Sequence, residues 1–228
     1  MASNGWVDLI NGITLNINPV NNPTATTSGI FTSYNAVTFR SRNMRVNASE
    51  NSKVLDVLNA VKSGFYTEQV VGERYTLVNS CFMIATQLVN TGDTSRRAIH
   101  YYDTYNNANA FNMCNTSNVY LNMGNWPNGF DGTPCSFSFM RTLTNGYIYR
   151  NGALWKSGSK QCQAASTATQ GSIILGSSNY NASSVAGSTT ATSQNDIPVH
   201  CIRIYSRSLS ADEIAANHAV DVQRFGIP

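Results

Sequence analysis

Gly146-Tyr-Ile-Tyr-Arg-Asn-Gly-Ala-Leu-Trp155 carries the sharpest local signal in the chain. Asn151-Gly152 supplies two neighbouring residues that tolerate positive φ, which a tight hairpin turn requires. Apolar and aromatic residues flank the pair, so the segment predicts two antiparallel strands joined at 151–152. The same kind of pattern extends outward. In 136–142, Phe137, Phe139 and Arg141 share one face of an alternating run. In 119–124, Val119, Leu121 and Met123 alternate with Tyr120, Asn122 and Gly124, as in a half-buried strand. Further strands are predicted at 65–71, 75–89, 98–102, 108–114, 172–175 and 199–205. Val37 and Phe39 share a face, but the parity changes before Met44, which predicts a bulge or break near Arg42-Asn43. Asn11-Gly12 between short apolar runs predicts another tight turn.

Two segments carry a helical period instead. Val54, Leu55, Leu58 and Val61 predict a short helix or broad turn within 51–62. Near the end, Ser210 and Glu213 form a capping box, and Asp212 adds negative charge to the first turn. Ile214, Ala215, His218, Ala219 and Val222 then make one face, with Ile214 and Val222 expected in the core and His218 packed or capping locally. Gly226 stops the helix. A helix of about 12 residues is marginal in water, so this one needs a sheet or another subunit to rest on.

Composition agrees with a sheet protein. The chain has 28 Asn, 25 Ser and 21 Thr, about a third of its 228 residues, and only four Glu. Such residues compete with helical hydrogen bonds and suit turns. Charged residues are 12%, about half the usual share, and the net charge is +3. Arg40, Arg42 and Arg45 are the densest basic group; they and Arg96-Arg97 read as solvated strand positions, so no nucleic-acid partner is expected. No apolar run approaches 18 residues, so no membrane insertion is expected, and the amino terminus has no signal-peptide pattern. The five cysteines (Cys81, Cys114, Cys135, Cys162 and Cys201) show no C-x-x-C spacing. Cys81 and Cys201 read as buried free thiols, and a Cys114–Cys135 bridge stays open.

The string Ile202-Arg-Ile-Tyr-Ser-Arg-Ser-Leu-Ser-Ala-Asp-Glu-Ile214 resembles the closing strand, turn and capped helix of concanavalin A-like lectin/glucanase domains of the laminin-G-like type. The 149–155 hairpin and Gly5-Trp-Val-Asp-Leu9 resemble an internal strand pair and the opening of such domains. The resemblance implies an all-β jelly-roll sandwich of two antiparallel sheets with a short C-terminal helix. It implies one domain over 1–228, with 1–32 as an arm or as first strands and 210–225 as the helix packed on the sandwich. Asn217-His-Ala-Val-Asp-Val-Gln-Arg-Phe-Gly226 resembles segments of gut phage structural proteins.

Chemistry is sparse in the sequence. Glycosidases need two positioned carboxylates. Glu68 and Glu73 lie five residues apart, on opposite faces of a regular strand, with Gly72 between them. They read as ordinary surface or turn carboxylates. His100, His200 and His218 lack a nucleophile-elbow context, and His200 reads as a packed histidine. Asp93 and Asp196 fall in loops, but calcium takes six to eight oxygens and no EF-hand string supplies them. No cofactor is expected, with calcium only a weak family-level option. Sugar binding has more material: Trp126 in a Gly- and Asn-rich loop, and the group Tyr101, Tyr102, Tyr105 and Asn106.

These readings lead to a non-enzymatic structural or adhesion module of a virion or cell-surface appendage. Its partners are further copies or other surface proteins. The alternative is a lectin-like carbohydrate-binding module of a bacterial surface or secreted protein, and a polysaccharide hydrolase stands third.

Overall fold

The computed structural model describes residues 5–7, 10, 12–17, 29–33, 36–40, 44–47, 49–62, 65–72, 81–89, 97–103, 110–114, 120–125, 134–159, 170–175 and 198–228. Among them the strands are β1 (Gly5–Val7), β2 (Thr14–Ile17), β3 (Gly29–Ser33), β4 (Ala36–Arg40), β5 (Met44–Asn47), β6 (Tyr66–Gly72), β7 (Cys81–Val89) and β8 (Arg97–Asp103). The later strands are β9 (Ala110–Cys114), β10 (Tyr120–Asn125), β11 (Cys135–Arg141), β12 (Asn145–Arg150), β13 (Ala153–Ser159), β14 (Gln170–Leu175) and β15 (Pro198–Tyr205). Helix α1 (Lys53–Lys62) separates β5 from β6, and α2 (Ala211–Phe225) follows β15.

The domain is mostly β, and its strand pairs are antiparallel. Hydrogen bonding orders them β1-β2-β5-β14-β7-β8-β9-β10 and β13-β12-β11-β6-β15-β4-β3. Arg42 and Asn43, where a bulge or break is expected, lie outside the described residues; β4 ends at Arg40, β5 begins at Met44, and the two strands belong to different ladders. The Asn11-Gly12 expectation also holds in part: Gly12 has φ 68° where the chain turns from β1 to β2. Those first strands join β5 through β2.

The functional geometry rests on five adjacent strands, β13-β12-β11-β6-β15, and on α2. Asn151 and Gly152 have φ 46° and 76°, as the hairpin between β12 and β13 requires. The Asn151 side-chain oxygen accepts from the Ser136 N–H at 3.0 Å, and the Asn151 N–H donates to the Ser136 carbonyl at 2.9 Å. Gly152 is needed for a second reason. A Cβ there would lie 3.2 Å from the His218 Cβ and 3.3 Å from the Ala215 Cα, so the turn and α2 approach as closely as glycine permits.

Helix α2 has the local machinery expected of it. Ser210 accepts from the Glu213 N–H at 3.2 Å, and the Glu213 carboxylate accepts from the Ser210 N–H at 2.8 Å. Gly226 closes the helix at φ 66°. The face it buries differs from the sequence expectation. Ile214 is fully buried, but Val222 is 38% exposed and Asp221 is buried in its place. The sheet surface under the helix explains this shift. Register puts Thr67, Gln69, Val71, Ser136, Ser138, Met140, Tyr147, Tyr149, Arg203 and Tyr205 on one face. Met140, Tyr149, Leu209 and Ile214 form an apolar anchor there, while the rest of that face offers polar partners. The opposite face carries Tyr66, Val70, Phe137, Phe139 and Ile148, all buried. Phe137 and Phe139 stack at 6.2 Å.

Candidate functional site

The polar face under α2 is a closed hydrogen-bond network. Gln69 Nε2 donates to Ser138 Oγ at 2.9 Å, and Gln69 Oε1 accepts from Asn217 Nδ2 at 2.9 Å. The Asn217 amide also reaches the Tyr205 hydroxyl at 3.1 Å. Ser136 Oγ lies 2.9 Å from His218 Nδ1. Arg203 forms a two-pronged bond with Asp221, at 3.0 and 2.5 Å. At the start of the helix, Thr67 Oγ1 accepts from the Leu209 N–H at 2.9 Å and donates to the Arg207 carbonyl at 3.0 Å. Buried polar groups must be paired in this way or lose their hydration without return.

Burial holds the His218 imidazole below its ordinary pKa, with the Asp221 carboxylate opposing the shift. The ring is therefore neutral near pH 7. With Nε2 protonated, Nδ1 accepts the Ser136 hydroxyl proton, the relation of a nucleophile to its base. Burial also raises the Tyr205 phenol, against the opposing pull of Arg203.

This geometry corrects the expectation of a non-enzymatic module. That expectation rested on the lack of any catalytic arrangement legible along the chain. The structure instead assembles Gln69, Ser136, Ser138, Tyr205, Asn217 and His218 into a buried polar cluster resembling an active site. The reading of His218 as a local contact is corrected with it, because its partner Ser136 lies 82 residues away. Ser136 and Ser138 stand on the face of the 136–142 run opposite Phe137 and Phe139, together with Gln69 of β6. Only the covering helix reveals that this face is interior.

Glu68 is also corrected. It is no surface carboxylate but is 5% exposed on β6, between β11 and β15. Glu73 lies outside the described residues. His200 is half-buried, its ring 5.6 Å from that of Phe225. Cys201 is a half-buried free thiol and Cys135 a buried one; desolvation pushes Cys135 up to about 12. The Cys135 thiol is thus no bridge partner for Cys114. Among the described residues, no group of three His, Cys, Asp or Glu side chains is placed to hold a metal ion. Among them too, no helix is long and apolar enough to cross a membrane.

Of the residues expected to bind sugar, Tyr101 and Tyr102 belong to the other ladder. Tyr101 and Tyr102 occupy successive positions on β8. Trp126, Tyr105 and Asn106 lie outside the described residues. Asp103, the last residue of β8, pairs with Ala110, the first of β9, and Ala110 pairs with Asn125, the last of β10.

No family profile and no curated protein matches the sequence. Solved structures match in fold. Trypanosoma rangeli sialidase superposes with a TM-score of 0.63 at 15% identity, covering 97% of this chain and 31% of the enzyme. The receptor binding domain of a botulinum neurotoxin C/D mosaic serotype gives 0.62 at 10% identity, covering 94% of this chain and 50% of that one. Domain 4 of an extracellular arabinanase from Geobacillus stearothermophilus, in complex with arabinotriose, gives 0.53 at 13% identity. There the match covers 79% of this chain and 75% of the other. The chain thus spans a third to a half of the sialidase and toxin chains. At these identities the shared property is a β-rich fold.

Proposed function

We propose that the chain is a carbohydrate-recognising domain of an extracellular carbohydrate-active protein. The observation that carries this reading is the match to the arabinanase domain. It covers three quarters of a chain of similar size, and that domain holds arabinotriose. The sialidase match points to the same ligand class. None of the three matched proteins is a virion component, so the assembly reading gives way to the carbohydrate one.

On this proposal, 1–228 is one domain whose two ladders face each other as a jelly-roll sandwich. Contact between β10 and β13, the outer strands of the two ladders, supports that closure. The residues proposed to bind sugar are Tyr101, Tyr102, Tyr105, Asn106 and Trp126. Aromatic rings give sugar C–H faces an apolar platform, while amides and hydroxyls orient the ring.

The test is titration of the folded chain with arabinotriose and a panel of oligosaccharides. Binding that weakens at least about tenfold in Trp126→Ala supports the reading, a change of ~1.4 kcal/mol. A folded chain that binds no glycan overturns it. The part-buried Ser136–His218 pair supports a second, hydrolytic reading. Its mark is glycan cleavage that disappears in Ser136→Ala while the fold persists.

A further inference from the structure

Helix α2 spends one side on the sheet. Ile214, Asn217, His218 and Asp221 point to it and are used there. The other side carries Asp212, Ala216, Val220 and Arg224, each exposed and each four positions from the next. Residues at that spacing line up in one row along a helix. The row is about 18 Å long at 1.5 Å per residue. Its middle is apolar, with Val220 50% exposed. Its ends are charged: Asp212 stands in the first turn and Arg224 in the last. Exposed Ala215, Ala219 and Gln223 lie beside it.

This row complements itself when reversed. Laid antiparallel on a second copy, Asp212 meets Arg224 and Ala216 meets Val220, and a twofold axis repeats both contacts. Opposite charges then face each other at both ends. Alanine across from valine lets the helices approach while the valine methyl groups leave water. Parallel pairing would instead set Asp212 on Asp212 and Arg224 on Arg224, which repels. Neighbouring charges do not upset the match. Glu213 is held by Arg207 of its own copy at 2.8 and 2.6 Å. The Phe225 ring keeps Arg224 at the helix end, 5.3 Å from the guanidinium carbon. We propose that two copies of the chain dimerise through α2, paired antiparallel about a twofold axis. A single helix pair lies at the low end of interface size, so the dimer is weak and reversible. The proposal goes beyond the carbohydrate reading and does not depend on it.

Sedimentation of the full chain over a dilution series, at low and at physiological salt, tests the pairing. Expected is a monomer–dimer equilibrium that weakens as salt screens the end charges. Val220→Glu, at an exposed helix position, should keep the fold and weaken the dimer by about tenfold or more. Asp212→Arg gives the row a cation at both ends, and Arg224→Asp gives it an anion at both ends. Each of these variants alone should stay monomeric, and an equimolar mixture of the two should dimerise again. Where a charge variant melts early, Val220→Glu and the salt series still decide. A wild-type chain that is monomeric throughout overturns the proposal, as does a dimer that none of the three substitutions weakens. Folded charge variants that remain apart when mixed also overturn it, because antiparallel pairing requires that rescue.

Discussion

The two ladders use the same residue types in opposite ways. Under α2, Ser136, Ser138, Gln69 and Asn217 spend their hydrogen-bonding capacity on one another and on the helix. On the other ladder, a similar stock of Asn and Tyr includes Tyr101 and Tyr102, which are proposed to bind sugar. Uncharged polar side chains therefore have no fixed role in this chain. Under α2 the covering helix turns them into internal glue.

The comparison is broken most severely at Gly152. In Gly152→Val, a β-branched residue would meet both positive φ and the 3.2 Å approach of His218. The expected loss is about 4 kcal/mol, combining a backbone penalty with overpacking. Denaturant unfolding measures it, and an unchanged midpoint would mean that the hairpin does not bear on the helix.

Next is the Arg203–Asp221 pair. Arg203→Ala strands a carboxylate whose side chain is 2% exposed, and should cost about 3 kcal/mol. Arg203→Met with Asp221→Leu should recover most of that loss. Failure to recover would show that the pair does more than hold α2. Neither change should alter glycan binding by the residues proposed for it, which keeps the two roles separable.

Acid acts on the same seam. The folded pKa of His218 lies below that of the unfolded chain, so the unfolded state binds its proton first. Its contribution is complete above the unfolded pKa of about 6.5 and is lost as pH falls through the folded value. Glu213, held to about 2 by Arg207 and then by the Ser210 N–H, loses its contribution further down, as pH falls from about 4.5. Thermal melts should fall in two steps, and His218→Asn should flatten the upper one. The smallest effect is expected in Ser210→Ala, about 1 kcal/mol, seen as fraying of the first turn in amide exchange.

Glutamine and serine on β6 and β11 show why part of the candidate site escaped sequence reading. Their alternation was visible, but alternation alone marks a polar face as solvent-facing. Nothing near Gln69 announces an asparagine 148 residues later. The residues proposed to bind sugar were legible by type, since aromatic rings beside amides stand out in any sequence.

By itself the sequence determined the features that act within a few residues. These are the Asn151-Gly152 turn, the Ser210 cap, the Gly226 stop and the strand alternation. Each follows from backbone sterics or from a hydrogen bond to a near neighbour. Tertiary structure alone decided that Asp221 and not Val222 turns inward, that Glu68 is buried, and that Ser136 meets His218. Burial depends on what lies above a face, and here the covering helix comes from the far end of the chain.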